Sequence, residues 1–363
     1  MSSTFGNKFK IAIFGQSHSA AVGVTIDGIP AGTPIDADKL QKFLDRRAPG
    51  RSALTTQRRE ADIPEFLCGL RDGKSCGAPL TAIIRNTDVR PGDYSDISDV
   101  PRPGHADYTA HIKYGGAEDA SGGGHFSGRL TAPLCIAGGI AVQMLEASAR
   151  RFGGAVGGTA AGISVAARIV EIGGYKTGSA SNGAGAESYE GVSTCGANAD
   201  KVAAIIENAR KDGDSVGGII ECTVKGMPAG IGEPMFDGIE NRIAQAVFAI
   251  PAVKGIEFGA GFEAARMKGS RNNDAFYMEN GSVKIRTNNA GGILGGISSG
   301  ADIVFRAAFK PTPSIAKAQD SISWSEKTDR TIAVKGRHDP CIAVRALPVV
   351  EAAAAVALID YLI

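Results

Sequence analysis

Val24–Gly32 reads VTIDGIPAG and Cys222–Gly230 reads CTVKGMPAG. In each, a strand-like run enters Gly-x-Pro-Ala-Gly and leads into an amphipathic helical pattern. Repetition of a whole strand–turn–helix unit predicts two related halves, roughly residues 1–200 and 201–363, within a single domain spanning 1–363. Strands and helices around the repeat do not alternate as a doubly wound sheet requires. The expected fold class is therefore α+β, with an internal pseudo-duplication.

Working outward, Phe9–Phe14 and Ala21–Ile26 read as strands around the Gly15–Ser19 turn, and Leu80–Ile84 as a third. Asp36 or Asp38 can cap a helix that runs through Leu44 and stops before Pro49-Gly50. Thr131–Phe152 reads as a helix, with Pro133 in its first turn, where proline is tolerated. It is apolar nearly all round from Ala132 to Met144, which predicts a central buried helix. Gly157–Ile172, Gly217–Val224 and Ile303–Phe309 read as strands. Asp200–Lys211, Asp237–Phe248 and the Ala-rich Leu347–Ile363 read as helices.

Hydrophobic residues make up 43%, charged residues 21%, and the formal net charge is +1. These values argue against a general nucleic-acid or membrane-surface role, and no aromatic–basic interleaving suggests nucleic acid. Glycine, at 49 residues, is about twice its usual share and marks many tight turns and close approaches. The six cysteines are widely spaced, so they are expected to be small buried hydrophobes with reduced thiols. The polar start Met1–Lys10, and the absence of a run apolar enough to cross a bilayer, lead us to expect a cytoplasmic protein.

The candidate chemistry lies in loops. Arg102–Thr109, RPGHADYT, places a guanidinium, an imidazole, a carboxylate and a phenol on one turn. His18, His125 and His338 also sit in Gly- or Pro-rich contexts. Arg46, Arg47 and Arg51 bracket Pro49-Gly50, with Arg58-Arg59 following and no acid between them; such a cluster suits a small polyanion. SGGGHFSGRLTA (121–132) joins exposed backbone N–H groups to a helix N-terminus, an anion seat that Ser127 and Arg129 can reinforce. TNNAGGILGGISSG (287–300), KPTPS (310–314) and KGRHDPC (335–341) offer further turns rich in donors. No set of His and Cys stands at metal-ligand spacing, so no metal site is expected.

These segments, in this order and together with GQSHSAAVGVTIDGIPAG, closely resemble the chorismate synthase family over essentially the whole chain. The resemblance implies an α+β sandwich with a helical core between antiparallel sheets, and a homotetramer built as a dimer of dimers. It implies conversion of 5-enolpyruvylshikimate 3-phosphate to chorismate by 1,4-anti elimination of phosphate. The reaction would use reduced FMN with no net redox change, and NADPH would enter only indirectly, for flavin reduction. On the same basis His18 looks like the proton donor to the leaving phosphate, and His105 like the histidine near flavin N1. Asp339 looks like the carboxylate near flavin N5. Arg46, Arg47, Arg51 and Arg129 are similar to substrate-binding residues. Flavin contacts would fall on His125, Phe126, Ser127, Pro251, Ala252, Gly295, Lys310, Pro311, Thr312, Pro313, Ser314 and Arg337.

The chain departs from the family pattern at several of these places. Gln16 stands where a glutamate is common, and Ser19 where a glycine free to take positive φ is common. His125-Phe126 replaces an Arg-Ser pair, Ala53 an arginine, and Pro313 a small polar residue.

Overall fold

The repeat closes in the same way in both halves. Gly28 and Gly226 take left-handed φ values of +87° and +82°, and Gly32 and Gly230 values of +82° and +90°. In the first half the Gly32 N–H donates to the Ser75 carbonyl (2.8 Å) and the Thr33 N–H to the Ser75 hydroxyl (3.0 Å). That hydroxyl donates to the Pro30 carbonyl at 2.6 Å. Both of the former bonds have counterparts in the second half. There the Gly230 N–H donates to the Ser298 carbonyl (2.9 Å) and the Ile231 N–H to the Ser298 hydroxyl (2.9 Å). The Ser298 hydroxyl donates to the Pro228 carbonyl at 2.6 Å. A serine far along the chain thus stitches each turn, using the same atoms.

This computed structural model describes residues 3–50, 54, 60–87, 99–148, 162–178, 198–334 and 338–363. The first sheet uses strands β1 (Thr4–Phe5), β2 (Lys10–Gly15), β3 (Ala21–Asp27), β4 (Glu65–Cys68) and β5 (Leu80–Arg85). They form an antiparallel sheet in the order β1-β2-β3-β5-β4. The second sheet uses β6 (Ser164–Ile172), β7 (Tyr175–Lys176), β8 (Gly218–Lys225), β9 (Val253–Phe258) and β12 (Ile303–Phe309). Its order is β9-β12-β8-β6-β7, again antiparallel. Two hairpins stand apart from it, β10 (Phe276–Glu279) with β11 (Ser282–Ile285), and β13 (Gln319–Ser323) with β14 (Thr328–Ile332). Both β8 and β12 alternate between buried and half-buried residues, as expected when one sheet face meets the core.

Among the described residues, the helices of eight residues or more are α1 (Ala37–Arg47), α2 (Asp107–Tyr114), α3 (Thr131–Ala147), α4 (Ala199–Lys211), α5 (Ile239–Phe248) and α6 (Ala343–Leu362). Asp36 caps α1 by accepting the Lys39 N–H at 2.9 Å. Helix α3 packs against the first sheet, α6 packs against the second, and the two pack on each other. Glycines permit this: a Cβ at Gly138 would lie 2.1 Å from the Ala352 Cβ, and one at Gly139 would lie 2.6 Å from Leu40 Cδ1. The layer order is sheet, helices, sheet, as the resemblance implies. Asp360 of α6 fastens the chain start to this core. Its carboxylate accepts N–H groups from Asn7 (2.8 Å), Lys8 (2.6 Å) and Phe9 (2.7 Å), and a guanidinium bond from Arg242 (2.7 Å).

Several expectations are corrected. Helix α6 begins at Ala343, not Leu347; Pro348 therefore lies inside it, where it removes the N–H that would bond the Val344 carbonyl and its ring crowds that carbonyl. The described part of α3 ends at Ala147 and β6 starts at Ser164; the expected continuations across 149–161 lie outside the described residues. Cys135, Cys222 and Cys341 are buried as expected, but Cys68 and Cys76 are exposed because they flank a surface hairpin, and Cys195 lies outside the described residues. Burial pushes the Cys135 thiol up to about 12. Among the described residues one helical stretch, Gly128–Ala147, is long and apolar enough by composition to cross a bilayer, but 78% of its apolar window is buried inside the protein. That run is apolar because it is the core helix.

Candidate active site

A cavity of about 820 Å³ opens where α1 ends and α3 and α6 begin, near the loops before α2 and after β12. His18, His105 and Asp339, from three distant parts of the chain, all line it. So do Arg47, Arg129, His125, Phe126, Ser127, Pro251, Ala252, Lys310, Thr312, Pro313 and Ser314.

The arginines are less free than the sequence suggests. Asp62, with its side chain fully buried, joins two of them. Its Oδ2 accepts from Arg47 Nε (2.8 Å) and from Arg47 Nη2, while its Oδ1 accepts from Arg129 Nη1. Glu60 Oε2 lies 3.3 Å from Arg129 Nη1. Arg47 also donates to Thr131 Oγ1 (3.2 Å), and Arg129 to Asn86 Oδ1 (2.9 Å). Burial works against the charge on Asp62, but the two guanidiniums outweigh it and hold its carboxyl below the usual carboxylate range. The acids that neutralise the cluster stand just after Arg58-Arg59, outside the stretch read as free of acids.

Arg46 and Arg47 diverge. Adjacent helical residues point about 100° apart, so Arg47 faces the cavity while Arg46 turns to Glu351 in the helical core. Arg46 Nη1 and Nη2 meet the two Glu351 oxygens at 2.5 and 2.7 Å. Arg46 does not line the cavity, so its substrate-binding assignment rests on the resemblance alone. Arg51, Arg58, Arg59, Ala53 and Arg337 lie outside the described residues.

The Arg102–Thr109 segment is part turn and part helix, because Asp107 and Tyr108 already belong to α2. Asp107 accepts from the Arg102 N–H (3.0 Å), Arg102 Nε (2.7 Å), Arg102 Nη2 (2.8 Å) and His105 Nδ1 (2.5 Å). Arg102 Nη1 reaches Ser314 Oγ at 3.2 Å. Lys310 Nζ donates to the Gly104 carbonyl, and the Lys310 N–H donates to the Ala252 carbonyl at 2.9 Å. The 102–108 turn, the Pro251-Ala252 corner and the 310–314 loop therefore form one wall. Ala252 has φ +76°, a strained conformation for a residue with a side chain. Burial and the neighbouring Lys254 hold the Lys310 ammonium below its ordinary pKa. Pro311 does not line the cavity; its ring lies toward Gly217. Gly295 is also outside the cavity, on a short hairpin whose Gly296 carbonyl accepts the Ile239 N–H at the start of α5 (2.9 Å).

The triple glycine lies against both histidines. A Cβ at Gly122 would fall 2.3 Å from His18 Cε1, and one at Gly123 would fall 3.2 Å from His105 Nε2. Part of its backbone is spent internally: the Gly124 N–H bonds Ser121 O (3.0 Å) and the Phe126 N–H bonds Gly123 O (2.9 Å). Both nitrogens of the His125 ring are engaged within the protein, with Nδ1 donating to the Gly15 carbonyl (2.9 Å) and Nε2 facing the Ser3 hydroxyl (3.1 Å). Ser19 does not take a positive φ. Its hydroxyl instead closes the turn by accepting the Gln16 N–H at 2.9 Å.

Arg345, in the first turn of α6, was not singled out in the sequence. It lines the cavity, donates to Asp339 Oδ2 (2.6 Å), and bonds the Arg47 carbonyl through Nε (3.1 Å). The late helix start read at Leu347 hid it. Asp62 and Glu60 were missed for a different reason: only the fold brings them to Arg129.

This is an α+β protein whose cavity gathers an arginine–carboxylate cluster, two candidate proton-carrying histidines and a carboxylate, as an enzyme acting on a small anion requires. Residues 9–363 match the family model described as "Chorismate synthase". The chain is 44% identical to the chorismate synthase of Korarchaeum cryptofilum over 99% of this chain and 96% of that one. It is 45% identical to that of Methanosarcina mazei over 99% and 95%, and 45% identical to that of Chitinophaga pinensis over 99% and 96%. A solved structure described as "Crystal Structure of Chorismate Synthase" superposes with a TM-score of 0.73, at 27% identity, over 99% of this chain and 92% of that chain. The chain belongs to the chorismate synthase family and is a lyase.

Proposed function

We propose that the protein eliminates phosphate from 5-enolpyruvylshikimate 3-phosphate, by the 1,4-anti route, to give chorismate, with reduced FMN bound in the same cavity. The observation that carries this reading is the gathering of His18, His105 and Asp339 with Arg47 and Arg129 around one cavity. Its volume of about 820 Å³ lies in the range of ligand pockets, toward the large end. The donor set fits a phosphorylated flavin: Lys310, Thr312 and Ser314 stand beside the Ala252 corner, within reach of the His105 turn.

When bound, reduced FMN would supply electron density to the allylic C–O bond and recover it as the C6 hydrogen leaves. The protein does the rest. Arg47 and Arg129, held side by side by Asp62, orient the substrate's anionic groups. His18 carries a proton to the departing phosphate oxygen. His105 would exchange a proton with the flavin through Nε2, and Asp339, steadied by Arg345, assists loss of the C6 proton. His125, Phe126 and Ser127 contribute to the flavin site mainly through backbone, since the His125 ring is engaged elsewhere. Arg51, Arg337 and Gly295 complete the set by resemblance alone. NADPH enters only indirectly, through an external supply of reduced flavin, and the setting is cytoplasmic.

Anaerobic protein with photoreduced FMN is expected to release phosphate and chorismate from 5-enolpyruvylshikimate 3-phosphate. Absence of both products under these conditions would overturn the reading.

We also propose a single domain of two related halves, assembled as a homotetramer. Met235, Phe236, Phe262, Phe276 and Met278 are 60–84% exposed, on and beside the β10–β11 hairpin and the turn before α5. Exposed large apolar residues in such number suit burial between copies. Light scattering is expected to give four times the 37.3 kDa chain mass. A monomeric mass at micromolar concentration would contradict the assembly.

A further inference from the structure

We propose that Asp107 is a positioning residue for His105: it accepts the hydrogen bond of Nδ1–H, leaves Nε2 as the only ring atom that exchanges a proton with the cavity, and through Arg102 fixes that ring to the 310–314 loop. The inference rests on the reading of His105 as a proton carrier, but its geometry does not depend on any ligand.

The tautomer follows from which partners can donate. His105 Nδ1 lies 2.5 Å from Asp107 Oδ1 and 3.1 Å from Arg102 Nη2. A guanidinium nitrogen cannot accept a hydrogen bond. An ionised carboxylate cannot donate one. Burial raises the carboxyl of Asp107, but bonds from Arg102 and His105 outweigh this and hold it well below the usual range, so it is ionised at neutral pH. The short contact therefore needs its proton on Nδ1, and the Arg102 approach is a neighbouring contact rather than a second bond to that atom. Nε2 is then the acceptor in the neutral ring; it stands close to Gly123, and His105 itself lines the cavity.

Arg102 gives the arrangement its rigidity. Its guanidinium is buried, with 2% side-chain exposure. Asp107 Oδ2 takes two of its groups and Oδ1 a third, while Nη1 reaches Ser314. A shift of the 310–314 loop is thereby transmitted to the imidazole plane. This is the orienting-carboxylate logic of catalytic triads, built here within one turn.

Asp107→Asn tests it. An asparagine that keeps its oxygen toward His105 points its NH2 at two Arg102 donors. The flipped amide faces only one Arg102 donor, Nη2, and donates to Nδ1, which drives the ring to the Nε2–H tautomer. In resting protein labelled with 15N-histidine, with His105→Gln used for assignment, His105 is expected to show Nδ1–H and Asp107→Asn to show Nε2–H. Turnover in Asp107→Asn should fall about 10²–10⁴-fold in kcat with KM changed less than about 3-fold, because proton transfer and not binding is affected. Asp107→Glu should recover part of the rate.

An Nε2–H ring in the unsubstituted protein overturns the proposal whatever the activity is. So does an unchanged tautomer in Asp107→Asn. A switched tautomer with unchanged turnover would instead sink the reading of His105 as a proton carrier, which separates the two failures.

Discussion

Replacing Asp62 with alanine is expected to lower the unfolding free energy by about 3–5 kcal/mol, the range found when one partner of a buried ion pair is removed. Asp62 is the shared counter-charge of Arg47 and Arg129, whose side chains are 3% and 4% exposed. Without it two guanidiniums face each other in a buried wall, with only Glu60 at 3.3 Å from Arg129. Part of the alanine effect is backbone, because Asp62 has φ +48°, which asparagine tolerates and alanine does not. Asp62→Asn therefore isolates the charge, and urea midpoints of the two variants separate the contributions. The pH dependence has a fixed sign. The Asp62 carboxyl is depressed on folding, so its contribution is fully present above the ordinary carboxylate pKa and is lost as pH falls through the lowered value. The gap between native protein and Asp62→Asn should hold at neutral pH and narrow in acid, below about pH 4. A charge effect under about 1 kcal/mol at pH 7 would mean that Glu60 neutralises both arginines alone.

What the sequence made legible was local. The Gly-x-Pro-Ala-Gly turn announces itself because proline and left-handed glycines leave few conformations open, and both copies adopt the same one. The strand Ile303–Phe309 and the capped start of α1 were readable for the same reason. What depends on distant partners was not. Arg46 and Arg47 look equivalent as letters, yet one answers to Glu351 and the other to Asp62. The 122–124 glycines were readable as a place of close approach. Which group makes the approach was not readable, and it proves to be the two imidazoles rather than an anion alone. Cys68 and Cys76 show the limit of composition, since burial statistics cannot see that both flank a surface hairpin.

Gly122→Ala should cost turnover about 10²–10⁴-fold, the contribution of a positioned acid or base, if His18 is the donor to the leaving phosphate. Gly122 has φ +63°, and an added Cβ would meet His18 Cε1 at 2.3 Å, His18 Nδ1 at 2.6 Å and Ser17 Oγ at 2.9 Å. The chain cannot simply swing aside, because the Ser17 N–H is bonded to the Gly124 carbonyl at 3.0 Å and Ser17 is buried. The imidazole must rotate, and a proton donor displaced by about 1 Å loses much of its effect. Backbone strain alone is measured by Gly73→Ala, where φ is +72° and a Cβ would meet nothing within 4 Å. That control should lose about 1–2 kcal/mol of stability and keep its kcat. A double-mutant cycle then places the effect. If Gly122→Ala acts through the ring, adding it to His18→Ala should change kcat little further, whereas independent effects would multiply. Multiplying effects would assign the triple glycine a role of its own in binding. Unchanged turnover in Gly122→Ala would remove His18 from the proton path, since a group that tolerates such a displacement is not delivering a proton to a fixed oxygen.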